Sequence, residues 1–174
     1  MKNILLLIGP KGSGKSFIGS LLENEFGINF VRVEDWAKKI KRERNINDDA
    51  YITEVFKVIE DGIRKSLIDR DIICFESLAL SDQFDRMVNN LSRDFKLITI
   101  KIICDYDKCI ERIRSRDQSQ QIIISENQIR EINRMVAERD YKTKYKILNN
   151  DSDKDYLAQE LKKILTESKL SIRP

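Results

Sequence analysis

The feature that most constrains this chain is a glycine-rich segment at residues 9–16, which reads GPKGSGKS. A continuous apolar run over residues 4–8 comes directly before it, as in a central strand of a parallel sheet covered on both faces. An amphipathic stretch from residue 15 to about residue 25 follows, and it stops before Gly27, a typical helix-ending residue. The segment therefore predicts a strand, a tight turn and a helix, the opening unit of an α/β fold.

The turn itself matches the pattern G-x-x-x-x-G-K-[ST] in full. Its glycines let main-chain N–H groups converge on an anion, and the start of the helix adds a partial positive charge. The lysine supplies a cation for the terminal phosphates, and the serine supplies a hydroxyl ligand for Mg²⁺. A turn that binds nothing would need fewer glycines and no Lys-Ser pair. We therefore expect ATP and Mg²⁺ to bind through Gly9, Lys11, Gly12, Ser13, Gly14, Lys15 and Ser16.

The composition limits which residues could act as a general base or bind a metal ion, and which partners are expected. The 174 residues include no histidine, so a general base must be Asp, Glu or Lys, and the three cysteines show no zinc-site spacing. The net charge of +3 is small, whereas a protein that coats nucleic acid is usually strongly basic. We therefore do not expect nucleic acid as a partner. No apolar run approaches the roughly 20 residues of a membrane span, and no signal-peptide pattern is present. We expect a cytoplasmic monomer or homodimer that does not enter the membrane.

Short apolar runs alternate with amphipathic segments, which predicts βαβ units in a single domain over residues 1–174. Asp35 is expected to be the N-cap of the second helix. The predicted strands are residues 4–8, 30–33, 72–75, 97–103 and 146–148. The predicted helices are residues 15–25, 35–44, 49–69, 81–91, 106–116, 125–141 and 153–168.

Two acidic residues are predicted at the carboxyl ends of strands, where ligands bind in open parallel sheets. Glu76 follows the third apolar run and could hold Mg²⁺ directly or through water; otherwise it is a solvated loop acid. Asp35 follows the second strand and could orient or deprotonate an acceptor hydroxyl, in addition to capping its helix. Which of the two carboxylates is the general base stays open.

Arg112 and Arg116 lie four residues apart in the segment ERIRSRD, so both can reach one ligand from the same helix face. Arginine can stack on adenine and can bind phosphate oxygens with two parallel hydrogen bonds. The alternative is a solvated helix end. Residues 118–125 then lead into a charged helix, and such a segment could close over a site as a lid.

The chain resembles the nucleoside monophosphate kinase-like group of P-loop proteins, which includes adenylate, shikimate and dephospho-CoA kinases. The resemblance lies in GPKGSGKS, in ERIRSRD, and in YKILNNDS at residues 145–152. It implies a three-layer fold with a five-stranded parallel sheet in the order 2-3-1-4-5, an acceptor-binding region at about residues 35–65 and a lid at about 116–130. It also implies that Arg112 stacks on adenine, that Arg116 contacts phosphates, and that residues 149–152, including Asn150, lie near the adenine.

The departures from these kinases concern the acceptor. After the third strand this chain reads ESLAL at residues 76–80, without the Asp-Gly pair of adenylate kinases or the glycine triplet of shikimate kinases. There is also no Asp-x-Asp after the second strand, and no Asn-Lys-x-Asp motif of GTPases. The acceptor is therefore unidentified. Five basic residues of the second predicted helix either attract an anionic acceptor or form a solvated face: Lys38, Lys39, Lys41, Arg42 and Arg44.

The sequence supports a kinase that transfers the γ-phosphate of ATP to a small, nucleotide-like or other anionic acceptor. Because no arginine follows Glu76 closely, an ATP-binding regulatory module with weak ATPase activity is the alternative. A kinase that acts on polynucleotide or protein ends is the third hypothesis.

Overall fold

The structure is a computed structural model that describes residues 1–37, 40, 49–115, 125–141, 143–151 and 153–170. Its strands are β1 (Asn3–Ile8), β2 (Asn29–Val31), β3 (Ile72–Ser77), β4 (Lys96–Ile103) and β5 (Tyr145–Leu148). All four strand pairs are parallel, and the order across the sheet is β2-β3-β1-β4-β5. The predicted α/β class and strand order are confirmed.

The central position of β1 explains its continuous apolar sequence. Successive side chains of a strand point to opposite faces of the sheet. Leu5 and Leu7 belong to the core on one face, and Ile4, Leu6 and Ile8 belong to the core on the other. All five are at most 1% exposed, so this strand has no position at which a polar side chain would reach water.

Helices cover both faces of the sheet and give the molecule three layers. The core of Leu5 and Leu7 is closed by α1 (Lys15–Phe26) and α7 (Lys154–Glu167). The opposite core is closed by α3 (Asp49–Ser66) and α4 (Asp82–Asp94). The remaining helices are α2 (Val33–Ala37), α5 (Tyr106–Arg114) and α6 (Glu126–Glu138).

Polar caps fix the starts of two helices, and a glycine ends another. Ser125 and Gln128 form a reciprocal capping box at the start of α6. The Asp153 carboxylate accepts hydrogen bonds from the main-chain N–H groups of Asp155 and Tyr156 at the start of α7. Gly27 ends α1 in the left-handed conformation, with φ +65°, as predicted.

The second strand and the second helix differ from the prediction. β2 ends at Val31 instead of residue 33, and α2 begins at Val33. Asp35 is therefore in the first turn of α2 and is not its N-cap; its N–H donates to the Arg32 carbonyl at 3.0 Å. The apolar side chain of Val33 favours a strand on sequence alone, but at the start of α2 it is buried in the core closed by α3 and α4. Residues 38, 39 and 41–44 of the predicted helix lie outside the described residues.

Two further helices end earlier than expected. α3 ends at Ser66 instead of residue 69, because the main chain tightens into a turn in which Leu67 and Ile68 donate to carbonyls three residues back. α6 ends at Glu138 instead of residue 141, because Arg139 adopts an extended conformation. α5 is described up to Arg114, and residue 116 of its predicted span lies outside the described residues. Within the part of the chain that the structure describes, no helix has the length and apolar character needed to cross a membrane.

Candidate functional site

The glycine-rich loop connects β1 to α1 and needs glycine at two of its positions. Gly12 and Gly14 have φ values of +86° and +87°, which other residues rarely adopt. A Cβ on Gly12 would lie 2.4 Å from the carbonyl oxygen of Cys109, and one on Gly14 would lie 2.3 Å from Nδ2 of Asn149. The conformation therefore disfavours a side chain at both positions, and at Gly12 the main chain of Cys109 also leaves no space for one.

Lys15, the first residue of α1, places its ammonium group inside the loop. The residue is 8% exposed, and Nζ donates to the carbonyl oxygens of Gly9 and Pro10 at 2.9 Å each. Burial lowers the pKa of Lys15 to about 8, although the negative charge of Glu76 acts in the opposite direction. The loop thus holds a desolvated cation whose hydrogen-bond acceptors among the described residues are neutral carbonyls, and an anion entering the loop would compensate the charge better.

Ser16 and Glu76 meet at the carboxyl end of β3, where the sequence predicted a Mg²⁺ site. Ser16 Oγ donates to Glu76 Oε1 at 2.6 Å. Glu76 lies opposite Leu7 in the register of β1 and β3, next to the start of the loop. Among the described residues no group of three or more His, Cys, Asp or Glu side chains is arranged to hold a metal ion. A hydroxyl and one carboxylate suit Mg²⁺, which takes few protein ligands and completes its shell with water and phosphate oxygens.

Arg112 of α5 joins the glycine-rich loop to the segment after β5. Its guanidinium donates to the carbonyl oxygens of Asn149 and Asn150 at 2.8 Å each, and it approaches the carbonyl of Ser13 at 3.5 Å. The predicted role as an adenine platform stays a prediction. In this structure the guanidinium holds together the two segments that the sequence assigned to nucleotide binding.

Asn149 and Asn150 use their side chains differently. Asn149 is 2% exposed, and its Nδ2 donates to the Ser13 carbonyl at 2.8 Å. Asn150, the predicted contact, bonds to Asp105 instead: Oδ1 accepts from the Asp105 N–H at 2.9 Å, and Nδ2 donates to Oδ2 at 2.8 Å. Asn149 Oδ1 and Ser13 Oγ are buried without a hydrogen-bond partner among the described residues. Both atoms lie where the loop meets the segment after β5, so a bound polar ligand could satisfy them.

The two remaining predicted residues are Asp35 and Arg116. Asp35 is exposed in the first turn of α2, whereas its neighbour Glu34 is close enough for its charge to raise the pKa of Lys15. Arg116 lies outside the described residues. Arg114, the last residue of α5, pairs with Glu126 at the start of α6 at 2.5 Å, so an ion pair joins these two helices.

Sequence reasoning missed Asn133, which lies in the middle of α6 and is 5% exposed. Its Oδ1 accepts from the Lys11 N–H at 2.7 Å, and its Nδ2 donates to the Lys11 carbonyl at 3.0 Å. The amide thus pairs with the main chain of the glycine-rich loop 122 residues away. The only local signal was an asparagine in line with the apolar face of Ile129 and Val136, and that signal does not name a partner.

Comparison with known proteins confirms the predicted resemblance to P-loop kinases. The chain is 26% identical to a shikimate kinase of Clostridium botulinum, over 95% of this chain and 98% of that protein. Among solved structures, it is similar to shikimate kinase from Acinetobacter baumannii in complex with shikimate, with a TM-score of 0.67, 16% identity and coverage of 98% and 97%. It is also similar to the APS kinase of Mycobacterium tuberculosis in complex with AMPPNP and APS, with a TM-score of 0.63, 14% identity and coverage of 95% and 98%.

All three of these relatives are phosphotransferases. The sequence identities to the two solved structures are too low to indicate a shared function, so these similarities support the fold alone. The family assignment rests on the sequence itself, because residues 4–139 match the AAA_33 family, described as an AAA domain. That match spans β1, the glycine-rich loop and every element up to the end of α6, so this chain is a member of the AAA_33 family.

Proposed function

We propose that this protein is a kinase that transfers the γ-phosphate of ATP to a small anionic acceptor in the cytoplasm. The observation that carries the proposal is the convergence of Lys15 Nζ and the Ser16–Glu76 pair around one glycine-rich loop. A cation, main-chain N–H groups and a hydroxyl–carboxylate pair at the carboxyl edge of a parallel sheet suit a magnesium-bound triphosphate.

Each residue has a proposed role in binding or transfer. The main chain of the loop and Lys15 hold the phosphates, and Lys15 exchanges the carbonyls of Gly9 and Pro10 for phosphate oxygens. Ser16 and Glu76 hold Mg²⁺, which when bound neutralises charge on the phosphate oxygens. Arg112 and Asn150 hold the segment beside the adenine. Arg116 contacts the transferred phosphoryl group, and Asp35 orients the acceptor.

The relatives support a small anionic acceptor. One similar structure holds shikimate and another holds APS, both small anions. The acceptor side of this chain differs from shikimate kinases after β3. Ala79 has φ +60° and is 1% exposed, so a methyl group is buried at a left-handed position in the region where shikimate kinases carry the glycine triplet. We therefore propose that residues 35–65 bind an acceptor other than shikimate.

The test is ADP formation with Mg²⁺ and ATP across a panel of small anionic acceptors that includes shikimate and nucleoside monophosphates. We expect one acceptor class to raise ADP output well above the background rate. Lys15→Ala should abolish this rise, because electrostatic contacts in the transition state each contribute several kcal/mol. Lys154→Ala is the matched control, since Lys154 is exposed and pairs with Glu25 on the surface.

Calorimetry with Mg²⁺ and ATP separates the outcomes. Tight ATP binding with background ADP output for every acceptor would refute the kinase and favour the regulatory module. Absence of any binding heat, with the protein folded, would refute nucleotide binding as well.

A further inference from the structure

Cys104 and Cys109 stand at two positions that helix geometry brings together. Asp105 is the N-cap of α5, so Cys104 precedes the cap and Cys109 is the fourth residue of the helix. Side chains at these two positions pack against each other at helix starts, where they are usually hydrophobic. In this chain both are cysteines, and both are free thiols.

The contacts around the two sulfur atoms differ. Cys109 is buried, and its thiol donates to the Cys104 carbonyl oxygen at 4.0 Å. Cys104 is half-buried, and its Sγ accepts an N–H from Arg112 at 3.2 Å. A partly accessible sulfur beside a guanidinium is the environment in which cysteines react with oxidants.

We propose that Cys104 and Cys109 form an oxidisable pair, in which a hydroperoxide converts the two thiols into a disulfide. The Cys104 sulfur attacks the peroxide, the O–O bond breaks, and a sulfenic acid forms with release of an alcohol or water. The Cys109 thiol then gives up its proton and displaces water, so the S–S bond forms as the S–O bond breaks. The two electrons of the pair reduce one peroxide.

The order of the two steps follows from burial. Burial, together with Cys104 beside it, raises the pKa of the Cys109 thiol to about 12. Because the thiolate is the nucleophile, Cys104 reacts first and Cys109 resolves the sulfenic acid. The third cysteine, Cys74, is fully buried in β3 and is not expected to react.

The disulfide would act on the glycine-rich loop from two sides. It withdraws the Cys104 sulfur from Arg112, whose other N–H groups hold the segment after β5. It also displaces the main chain of Cys109, whose carbonyl oxygen packs against Gly12 so closely that a Cβ added to Gly12 would lie 2.4 Å from it. We therefore expect the oxidised protein to bind nucleotide at least about tenfold more weakly, as for loss of one hydrogen bond to a charged group. This consequence rests on the proposed nucleotide binding; the disulfide itself does not.

The experiment treats the reduced full-length protein with hydrogen peroxide, alkylates the remaining thiols under denaturing conditions and digests with trypsin. Lys108 lies between the two cysteines, so trypsin separates residues 102–108 from residues 109–112 unless a disulfide joins them. We expect the joined peptide, a fall from three free thiols to one, and reversal by dithiothreitol. Cys104→Ser and Cys109→Ser should each abolish the joined peptide, and Cys74→Ala should retain it.

The outcomes are separable. Absence of the joined peptide after peroxide has consumed Cys104, or a disulfide that involves Cys74, would overturn the proposal. ATP affinity measured before and after oxidation tests the consequence, with Cys104→Ser as the control that peroxide should not change. Equal affinity in fully joined protein would overturn the link to the loop. Failure of the reduced protein to bind ATP at all would instead refute the proposed function, while the peptide map would still decide the disulfide.

Discussion

We predict that Lys15, which is proposed to bind phosphate, destabilises the folded protein when no nucleotide is bound. Burial lowers its pKa from 10.5 to about 8. Each pKa unit corresponds to about 1.36 kcal/mol, so holding the charged form in the loop costs about 3 kcal/mol relative to the unfolded chain. The Lys15→Met variant keeps most of the side-chain volume and removes the charge.

The direction of the pH effect follows from the two pKa values. Below pH 8, Lys15 is protonated in both the folded and the unfolded state, and the full cost is present. Between pH 8 and 10.5 the unfolded state binds the extra proton, so the free energy of unfolding rises with pH through this window. Above it both states are neutral and the cost is gone. Relative to Lys15→Met, the wild-type protein should therefore gain about 3 kcal/mol between pH 7 and pH 10.5.

Urea unfolding of both proteins without nucleotide, at several pH values across this window, measures the effect. Other titrating groups change both proteins alike and cancel in the difference. Lys154→Met is the control, because Glu25 raises the pKa of exposed Lys154 and any trend should have the opposite sign. A wild-type to Lys15→Met difference that stays constant over the whole pH range would refute the reasoning.

Three further changes test the neighbouring contacts. Glu76→Gln keeps an acceptor for Ser16 but removes the charge, so it should raise the Mg²⁺ concentration for half-maximal activity about tenfold or more; an unchanged Mg²⁺ titration would contradict the metal role. Arg112→Ala should weaken ATP binding about tenfold or more in calorimetry, whereas Arg114→Ala, which removes an exposed ion pair with Glu126 on the same helix, should leave ATP affinity within about twofold. Asn133→Ala removes two hydrogen bonds of about 1 kcal/mol each, so it should raise the KM for ATP about thirtyfold with a smaller change in kcat. Asn133→Asp, which keeps only the acceptor, should fall between, and an equal loss in both variants would argue against pairing with Lys11.

The parts of the fold that follow from local sequence were predicted correctly. β1 is apolar throughout because both of its faces are covered, and the glycines at 12 and 14 are favoured by conformation, and at 12 also by contact, so the strand, loop and first helix could be located from residue types alone. The Ser16–Glu76 contact agrees with the prediction that both residues bind one Mg²⁺ ion, and that role stays a prediction.

Contacts between distant segments could not be predicted in the same way. The pairing of Asn133 with Lys11 depends on how α6 packs against the glycine-rich loop, and nothing in the sequence of α6 identifies Lys11 as the partner. Asp35 was assigned as an N-cap because its residue type suits that position, but the packing of Val33 into the core starts the helix two residues earlier. The charge of Glu34, the residue before Asp35, acts on Lys15.

The contact between α2 and α3 contains a natural fluorescence probe. Trp36 is the one tryptophan of the chain and lies half-buried against Gly62, where an added Cβ would come within 2.5 Å of the indole. Because no other indole contributes, the emission spectrum reports on this single contact within the region proposed to receive the acceptor. Titrating candidate acceptors while recording fluorescence can therefore rank them without a label and without turnover.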